Sequence, residues 1–488
     1  MSAFKSLFRQ TFIYGLATVL PRMLSFLLVP LYTTEGVLSS VAEYGKVSII
    51  FSYFVIFNVI LAYGMETAFF RFFNKNDDKD NVISTSSISI ILTSTLFLLV
   101  GFLFTQEIAA LTQINAEYIH LVIWILFLDA LVIIPFAYLR ATEQPTKYAV
   151  IKILNVAINI GLNLFFLLGL KNLSRDSYIY QSLYVPNFEI NYIFIANVIA
   201  SGFTLLLMAS FYSKLKLRFD QKLWKKMLAY AIPILIGGVA FSINEVFDRI
   251  LLDRLLPEDI AETEVGMYSA CYKLALFMTL FATAFRLGIE PYFFSHAKSE
   301  NPQKNYAKIL ELFVAFGSVI LLTVVVFADI IKPIIIRDSD YWEAMWIVPI
   351  VLIANFCLGI YHNLSVWYKI TDKTRYGAYI SVLGAFITLL ANFLLIPIIG
   401  YKGSALATLA AYSTMMLASY FYGKKNYPIP YNLSRIGIYF ILSALFSLTY
   451  FYGFRGNYAI GIPLLIVFLG LVIYFEKTQI QQLLGIEK

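Results

Sequence analysis

The sequence predicts an all-α polytopic membrane protein with about 14 transmembrane helices. Of its 488 residues, 60% are hydrophobic and 14% are charged, and the mean hydropathy is +0.75. Soluble domains carry about 25% charged residues. Apolar runs of about 20 residues recur along the whole chain, and each is long enough to cross the hydrocarbon core as a helix.

About fourteen runs satisfy this length criterion when the chain is taken in order. The first run is long enough to remain in the membrane, and it lacks the small-residue pattern at which a signal peptide is cleaved. The eleventh and twelfth runs are the least clearly separated, because only residues 399–402 lie between them. The predicted spans are 11–32, 44–63, 82–104, 118–139, 148–169, 190–212, 227–247, 266–289, 307–330, 343–365, 376–398, 402–422, 435–453 and 458–475.

Lys and Arg residues in the connections predict the orientation of the chain. If the N-terminus lies inside, most of these residues fall on the cytoplasmic side, as the positive-inside rule requires. The basic connection 212–226 is then cytoplasmic, 253–264 faces outward, and both termini are cytoplasmic. The net charge of +7 follows from these topogenic residues, so no nucleic-acid partner is expected.

The chain also repeats itself at a nearly constant offset, which predicts two halves of six spans each. Because six is an even number, both halves enter the membrane from the same side, as in transporters whose substrate site lies between parallel repeats. The predicted domains are 1–215, 216–430 and a pair of extra helices in 431–488. The repeated landmarks are Gly64–Phe70 with Gly288–Phe294, Thr142–Tyr148 with Thr371–Tyr376, and Leu162–Leu164 with Ala391–Phe393.

Charged residues interrupt the apolar runs of the second half. Glu245, Asp248 and Arg249 have the spacing that places them on one helical face. Ionisable groups within spans are costly and usually face a bundle interior or a water-filled cavity. A polar cavity is therefore predicted, although snorkelling to the interface is the alternative for Asp248 and Arg249. Further candidates on this pair of spans are Lys273, Arg286 and Glu290.

The first half has charged candidates of its own. Arg22 lies within the first span, where it predicts either a contact with an anionic substrate or a structural ion pair with Asp129. Glu66 and Glu290 are equivalent in the repeat and lie near the cytoplasmic ends of their spans. They predict either a structural clamp, with Arg286 one turn from Glu290, or an inner gate.

A polar stripe follows the fifth span at intervals of three and four residues, which puts its members on one face of the helix. Asparagine side chains in such a position form hydrogen bonds between helices or line a cavity, and the spacing alone leaves both interpretations open. The members of the stripe are Lys152, Asn155, Asn159 and Asn163.

The sequence contains no pattern typical of a catalytic or metal centre. Cys271 and Cys357 lie in apolar runs, which predicts neither a disulfide framework nor a zinc site. The three histidines lack metal-ligand spacing, and there is no Walker loop, HExxH motif or nucleophile elbow. We therefore expect no enzyme activity, no metal and no cofactor.

These features resemble the polysaccharide transporter branch of the multidrug, oligosaccharidyl-lipid and polysaccharide exporter superfamily, which includes O-antigen and capsule-repeat flippases. The resemblance rests on the six-plus-six repeat, the extra terminal pair, and the stretches Pro233–Gly238, Asn244–Leu252 and Arg286–Phe294. It implies translocation of undecaprenyl-pyrophosphate-linked oligosaccharides across the bacterial inner membrane by alternating access. Other polysaccharide-assembly membrane proteins and a coupling ion, proton or sodium, are partners that it allows.

The resemblance also implies roles for the charged candidates. Arg22, Arg249, Lys273 and Arg286 would contact phosphate or sugar. Coupling or gating would fall to the acids Glu66, Asp129, Glu245 and Glu290. The span count is similar to that of lipid II flippases as well, but the few cations mixed with acids favour a surface-polysaccharide unit over a peptidoglycan precursor.

Two other functions compete with this interpretation. A cation-coupled multidrug exporter of the same superfamily would use Glu66, Asp129 and Glu245 for cationic substrates and for coupling. A membrane polysaccharide polymerase or glycosyltransferase generally needs a sizeable outer catalytic loop, whereas the connections here are short.

Overall fold

A computed structural model describes residues 26–175, 177–295 and 301–483, except for the side chains of 290–292, 294–295 and 478–483. Every regular element within these residues is helical, and they contain no β-strand. The predicted all-α class is therefore confirmed.

The structure divides into two compact units, Met1–Ser269 and Ala270–Lys488. A five-residue π-helical segment, Phe165–Gly169, follows α8 in the first unit. The helices that begin in this unit are α1 (Leu28–Tyr32), α2 (Val41–Ala62), α3 (Met65–Lys75), α4 (Lys79–Leu103), α5 (Thr105–Thr112), α6 (Ala116–Leu131), α7 (Ile133–Ala141), α8 (Pro145–Leu164), α9 (Leu170–Leu173), α10 (Tyr178–Leu183), α11 (Glu189–Leu207), α12 (Ala209–Tyr212), α13 (Gln221–Leu255) and α14 (Glu258–Tyr272).

The second unit begins within α14 and contains the remaining helices. Two 3-10 segments, Lys273–Ala275 and Ser339–Ile347, precede α15 and α18. The helices are α15 (Leu276–Ser295), α16 (Pro302–Val326), α17 (Ala328–Ile335), α18 (Val348–Leu364), α19 (Val366–Ile370), α20 (Arg375–Ile399), α21 (Tyr401–Asn426), α22 (Leu433–Gly453) and α23 (Tyr458–Leu483).

Among the described residues, 12 helical segments are long and apolar enough to cross a membrane. Two of the fourteen predicted spans are not among them. The first predicted span, 11–32, lies largely outside the described residues. The twelfth corresponds to α21, whose 26 residues are long enough to cross but are less apolar.

Polar residues at the predicted cytoplasmic side fix where helices begin. The Asp220 carboxylate accepts hydrogen bonds from the backbone N–H groups of Lys222 and Leu223, at 2.9 and 3.0 Å, and so caps α13. The bonds from Leu223 and from the Asn81 side chain hold the pKa of Asp220 below its ordinary value. Asp78 caps α4 in the same way, through the backbone N–H of Asn81.

A sharp break separates α2 from α3. Tyr63 and Gly64 both have positive φ, 30° and 72°, which ends one helix and starts the next at an angle. A Cβ at Gly64 would lie 2.5 Å from the carbonyl oxygen of Ala231, so glycine lets α13 approach this break closely. Met65 and Phe69 of α3 pack with Met227 of α13 in one buried apolar cluster. This contact attaches α13 to the first unit.

The last two helices are attached to α16 by a buried charged cluster. Arg435 of α22 lies 2.7 Å from a Glu311 oxygen and 3.7 Å from a Glu476 oxygen of α23. Tyr439 donates a hydrogen bond of 2.7 Å to the same Glu476 oxygen. Since Glu476 is only 1% exposed, the terminal pair is anchored in this unit by a specific polar contact.

The hairpin of α20 and α21 is closely packed. Gly400 has φ 59° and is the only residue between the two helices. A Cβ at Gly403 would lie 2.7 Å from the backbone of Leu395, so the helices touch through their backbones. The Ser404 hydroxyl donates a hydrogen bond of 2.8 Å to the Asn392 side chain, and both residues are fully buried.

Candidate functional site

Asp248 and Arg249 form a buried ion pair on α13. They are 3% and 8% exposed, so they do not snorkel to an interface. The Arg249 guanidinium donates to the Asp248 carboxylate at 2.8 Å and to the carbonyl oxygen of Glu245 at 3.1 Å. The Tyr268 hydroxyl donates to the other Asp248 oxygen at 2.6 Å. Arg249 is therefore engaged by its own helix rather than open to a phosphate group.

Glu245 lies one turn from this pair but differs from it in environment. Its side chain is exposed, whereas Asp248 and Arg249 are buried. The sequence correctly places all three on one side of α13. Their depth is set by the packing of α13 against its neighbours.

In the second unit, a small cavity brings basic side chains together. Arg286 of α15 lines it with His362 of α18 and Lys369 of α19. All three side chains are partly buried within segments that can span a membrane. Lys273 is partly buried in the 3-10 segment before α15 and does not line this cavity. Arg286 is thus the predicted cation with the most site-like surroundings.

Glu66 forms an ion pair with Arg140. The two side-chain atoms are 2.6 Å apart, and both side chains are about half exposed at 45% and 46%. The pair joins α3 to α7 near the predicted cytoplasmic side. This geometry fits a structural clamp, one of the two interpretations that the sequence left open for Glu66.

Asp129 and Lys152 lie on neighbouring helices of the first unit. Asp129 accepts a hydrogen bond of 2.7 Å from the Ser201 hydroxyl, which ties α6 to α11. The Lys152 ammonium lies 4.1 Å from the centre of the Phe136 ring. Asp129 and Lys152 make no ion pair of 4 Å or less among the described residues.

The asparagine stripe of α8 mostly holds helices together. Asn155 donates a hydrogen bond of 2.9 Å to the Thr204 hydroxyl of α11. Asn163 is fully buried, accepts one of 2.8 Å from the Tyr32 hydroxyl, and donates to the Asn159 side chain. Of the two interpretations that the sequence left open, contact between helices therefore describes these residues.

Two predicted site residues lie outside what the structure describes. Arg22 precedes the first described residue, and the side chain of Glu290 is among those not described. Their roles stay predictions.

A close contact between α2 and α14 was not predicted from the sequence. A Cβ at Gly45 would lie 1.9 Å from the carbonyl oxygen of Glu262, and one at Gly266 would lie 2.2 Å from that of Val41. Lys46 and Glu262 form a salt bridge of 3.3 Å beside this contact. The signal in the sequence was one glycine near the start of each predicted span, 44–63 and 266–289, which are equivalent in the repeat.

The fold is that of a helical protein with 12 segments, among the described residues, that are long and apolar enough to cross a membrane. Residues 7–294 match the family described as polysaccharide biosynthesis protein, and the chain belongs to this family. No curated protein matches the sequence.

Solved structures share the fold at low sequence identity. The chain is similar to the lipid II flippase MurJ in an inward closed conformation, with 16% identity and a TM-score of 0.71, covering 96% of this chain and 100% of that one. It is also similar to an inward-facing MATE family transporter of the MOP superfamily, with 12% identity and a TM-score of 0.63. That match covers 88% of this chain and 95% of the other. A MOP superfamily transporter from Pyrococcus furiosus is similar at 12% identity and a TM-score of 0.59, and the match covers 88% of this chain and 96% of that one.

Proposed function

We propose that this protein is a flippase that translocates undecaprenyl-pyrophosphate-linked oligosaccharides across the bacterial inner membrane for surface polysaccharide biosynthesis. The family match and the flippase-like fold support a transporter of polysaccharide precursors. The observation that carries the proposal is the basic cavity of the second unit, which Arg286 and Lys369 both line. Arg286 lies within the predicted span 266–289, where a cation is costly unless it has a role.

The chemistry of the cargo explains why such cations are needed. A pyrophosphate carries negative charge through a region of low dielectric constant, so it requires cationic partners that are shielded from water. An Arg guanidinium can bind phosphate oxygens through two parallel hydrogen bonds, while Lys supplies a point charge. In this mechanism Arg286 orients the phosphate, and Lys369 adds attraction.

Alternating access requires contacts that form in one state and separate in the other. The glycine contact between α2 and α14 has this character, because it depends on close approach and on one exposed salt bridge rather than on interlocked large side chains. On the predicted topology it lies at the outer side. We assign it to the state in which the outer side is closed.

A cation-coupled multidrug exporter is the second candidate. It is favoured by the similarity to MATE transporters and by the exposed carboxylate of Glu245 and the intramembrane carboxylate of Asp129. In either function Asp129 and Glu245 are the candidates for ion coupling, with a proton or sodium as the ion. A polymerase or glycosyltransferase is supported by no arrangement of residues described above.

The test uses a strain in which the gene is deleted and then complemented with variants. Arg286→Ala is expected to abolish surface glycan and to trap lipid-linked units on the cytoplasmic leaflet, and Arg286→Lys is expected to give partial transport. Arg375→Gln removes an exposed Arg at the start of α20 and is the matched control. Normal glycan with Arg286→Ala at normal protein level would exclude this role for Arg286. Intact glycan in the deletion strain, together with increased drug sensitivity, would favour the exporter.

A further inference from the structure

A second basic cavity lies in the first unit, and none of the predicted site residues lines it. It has a volume of about 320 Å³ and forms where α4 begins, α7 ends and α12 leads into the connection 213–220. Three lysines line it, Lys147, Lys214 and Lys216, together with apolar side chains such as Leu139 and Met208. On the predicted topology it is at the cytoplasmic boundary of the membrane.

One of the three lysines is already neutralised. The Lys216 ammonium lies 2.5 Å from an Asp80 oxygen, and Arg218 lies 3.1 Å from Asp78. These two pairs hold the connection against the start of α4. Lys147 and Lys214 are exposed and form no ion pair with any residue that the structure describes. The cavity therefore carries about two uncompensated positive charges.

The apolar wall of the cavity, which includes Leu139 and Met208, lies close in the chain to exposed apolar side chains. Leu139 and Met208 belong to a buried apolar cluster that also contains Phe136. Leu206, two residues before Met208, is 71% exposed, and Val150, three residues after Lys147, is 49% exposed. Lysines and exposed apolar side chains thus occur close together around this cavity. The same combination is found where a transmembrane helix leaves the hydrocarbon core.

We propose that this cavity binds the phosphate of an anionic glycerophospholipid from the cytoplasmic leaflet, with Lys147 and Lys214 contacting the phosphate and the acyl chains lying along the apolar wall. Lys ammonium groups are suited to phosphate as mobile point charges. Basic pockets between transmembrane helices on the cytoplasmic side are known to hold such headgroups.

The position of the cavity favours a resident lipid over transported cargo. All of its lining residues lie between 80 and 216, almost entirely inside the first predicted half of the chain. Transporters built from parallel repeats bind cargo at the interface of the repeats. The lipid site is therefore independent of the proposed flippase function, and it can be tested without measuring transport.

The second unit has a basic cavity at the corresponding place in the chain. It has a volume of about 530 Å³, lies between the start of α16 and the end of α21, and is lined by Lys304 and Lys424. If the halves repeat, α16 and α21 are the third and sixth spans of the second half, as α4 and α11 are of the first. Both halves therefore have a basic cavity between their third and sixth spans, which supports lipid binding at both positions.

The experiment measures lipid binding to the purified full-length protein in detergent, by native mass spectrometry and by the rise in melting temperature during lipid titration. The probes are phosphatidylglycerol, zwitterionic phosphatidylcholine and undecaprenyl phosphate. The test variant is Lys147→Gln with Lys214→Gln. The control is Lys225→Gln with Lys226→Gln, which removes the same charge from two exposed cytoplasmic lysines outside the cavity.

We expect the wild-type protein to prefer phosphatidylglycerol to phosphatidylcholine, and the test variant to bind phosphatidylglycerol about 30-fold more weakly, since each surface lysine contributes about fivefold. The control should keep wild-type affinity. An equal loss in the control would show general charge attraction and overturn the site. Equal affinity for the two phospholipids would also overturn it. Stronger binding of undecaprenyl phosphate, with the same dependence on Lys147 and Lys214, would reassign the cavity to the cargo.

Discussion

The ion pair of Asp248 and Arg249 is unusual among helical ion pairs because the two residues are adjacent. Side chains at i and i+1 do not face each other on a helix. Here one carboxylate oxygen accepts both the backbone N–H and the guanidinium of Arg249, and the guanidinium also reaches back to the Glu245 carbonyl. Tyr268 satisfies the other oxygen. The pair has no net charge and is hydrogen-bonded on both carboxylate oxygens, so α13 can carry it into an apolar environment.

Removal of one member of this pair should destabilise the protein strongly. Asp248→Ala leaves a buried guanidinium without its counter-ion, and we expect a loss of about 3–5 kcal/mol, measured as a lower unfolding temperature in detergent. The double variant Asp248→Ala with Arg249→Ala should recover part of that loss because no unpaired charge remains. Glu245→Ala is the control, since its side chain is exposed. A double variant no more stable than the single one would contradict the ion-pair interpretation.

At the residue scale, the sequence predicted which groups are polar within spans but not which groups they bind. Helical spacing puts Asp248 and Arg249 on one face, yet Tyr268 contacts them only because α14 packs against α13. Glu66 was predicted to form a structural clamp or an inner gate, and no partner was named for it; its partner is Arg140, from a helix that meets α3 only in the folded structure. Partners distant in sequence depend on packing, and periodicity contains no information about it.

At the scale of elements, the contact of α2 with α14 depends on two glycines. Membrane helices gain little from burying apolar surface against one another, so close backbone packing and polar contacts supply much of their association. Gly45 and Gly266 allow backbone atoms of the two helices to touch. The salt bridge between Lys46 and Glu262 lies beside this backbone contact and also joins the two helices.

Gly45→Ala should force these helices apart. The new methyl group would overlap the Glu262 carbonyl, and overpacking of this kind costs about 1–3 kcal/mol. Unfolding temperature, and cross-linking between cysteines introduced at positions 46 and 262, would both report the separation. Gly161→Ala in α8 is the matched control because no atom lies within 4 Å of its Cβ position, and it should be neutral or stabilising by about 0.5–1 kcal/mol. Wild-type stability and cross-linking in Gly45→Ala would refute the tight contact.

The presence of a helix in each span was easier to predict than the places where a helix is broken. Long apolar runs are strong signals, and every predicted span that lies within the described residues corresponds to a helix. The break at Tyr63 and Gly64 was not predicted, because Gly64 was used only as a landmark of the repeat. The close approach of Ala231, which excludes a Cβ at Gly64, comes from a residue more than a hundred positions away in the chain.

For the whole molecule, the charge distribution predicts that connection 212–226 is cytoplasmic and 253–264 faces outward. The two native cysteines are buried, so single cysteines can be introduced with little background. Ser213→Cys should resist an impermeant thiol reagent in intact cells, while Asp259→Cys should react; both positions are exposed. Permeabilised cells, in which both should react, are the control. Labelling of position 213 in intact cells would reverse the orientation.

Fold class was accessible from the sequence because composition and span length are properties of the whole chain, and the family was accessible through the repeat and short stretches such as Asn244–Leu252. The division into compact units was not. The predicted repeat places α13 in the second half, but α13 packs with α2, α3 and α4 in the first unit. A sequence repeat shows which segments of the chain are similar to each other. A compact unit depends instead on which helices pack together in the folded structure.

The tight hairpin of α20 and α21 has a consequence for how the protein is made. During synthesis each helix must leave the translocon for lipid, and α21 is less apolar than the twelve clear spans. Its serine at position 404 finds its partner, Asn392, on the helix that emerges just before it. We expect the two helices to partition into the bilayer together as one preassembled pair, with α20 supplying the hydrophobicity that α21 lacks.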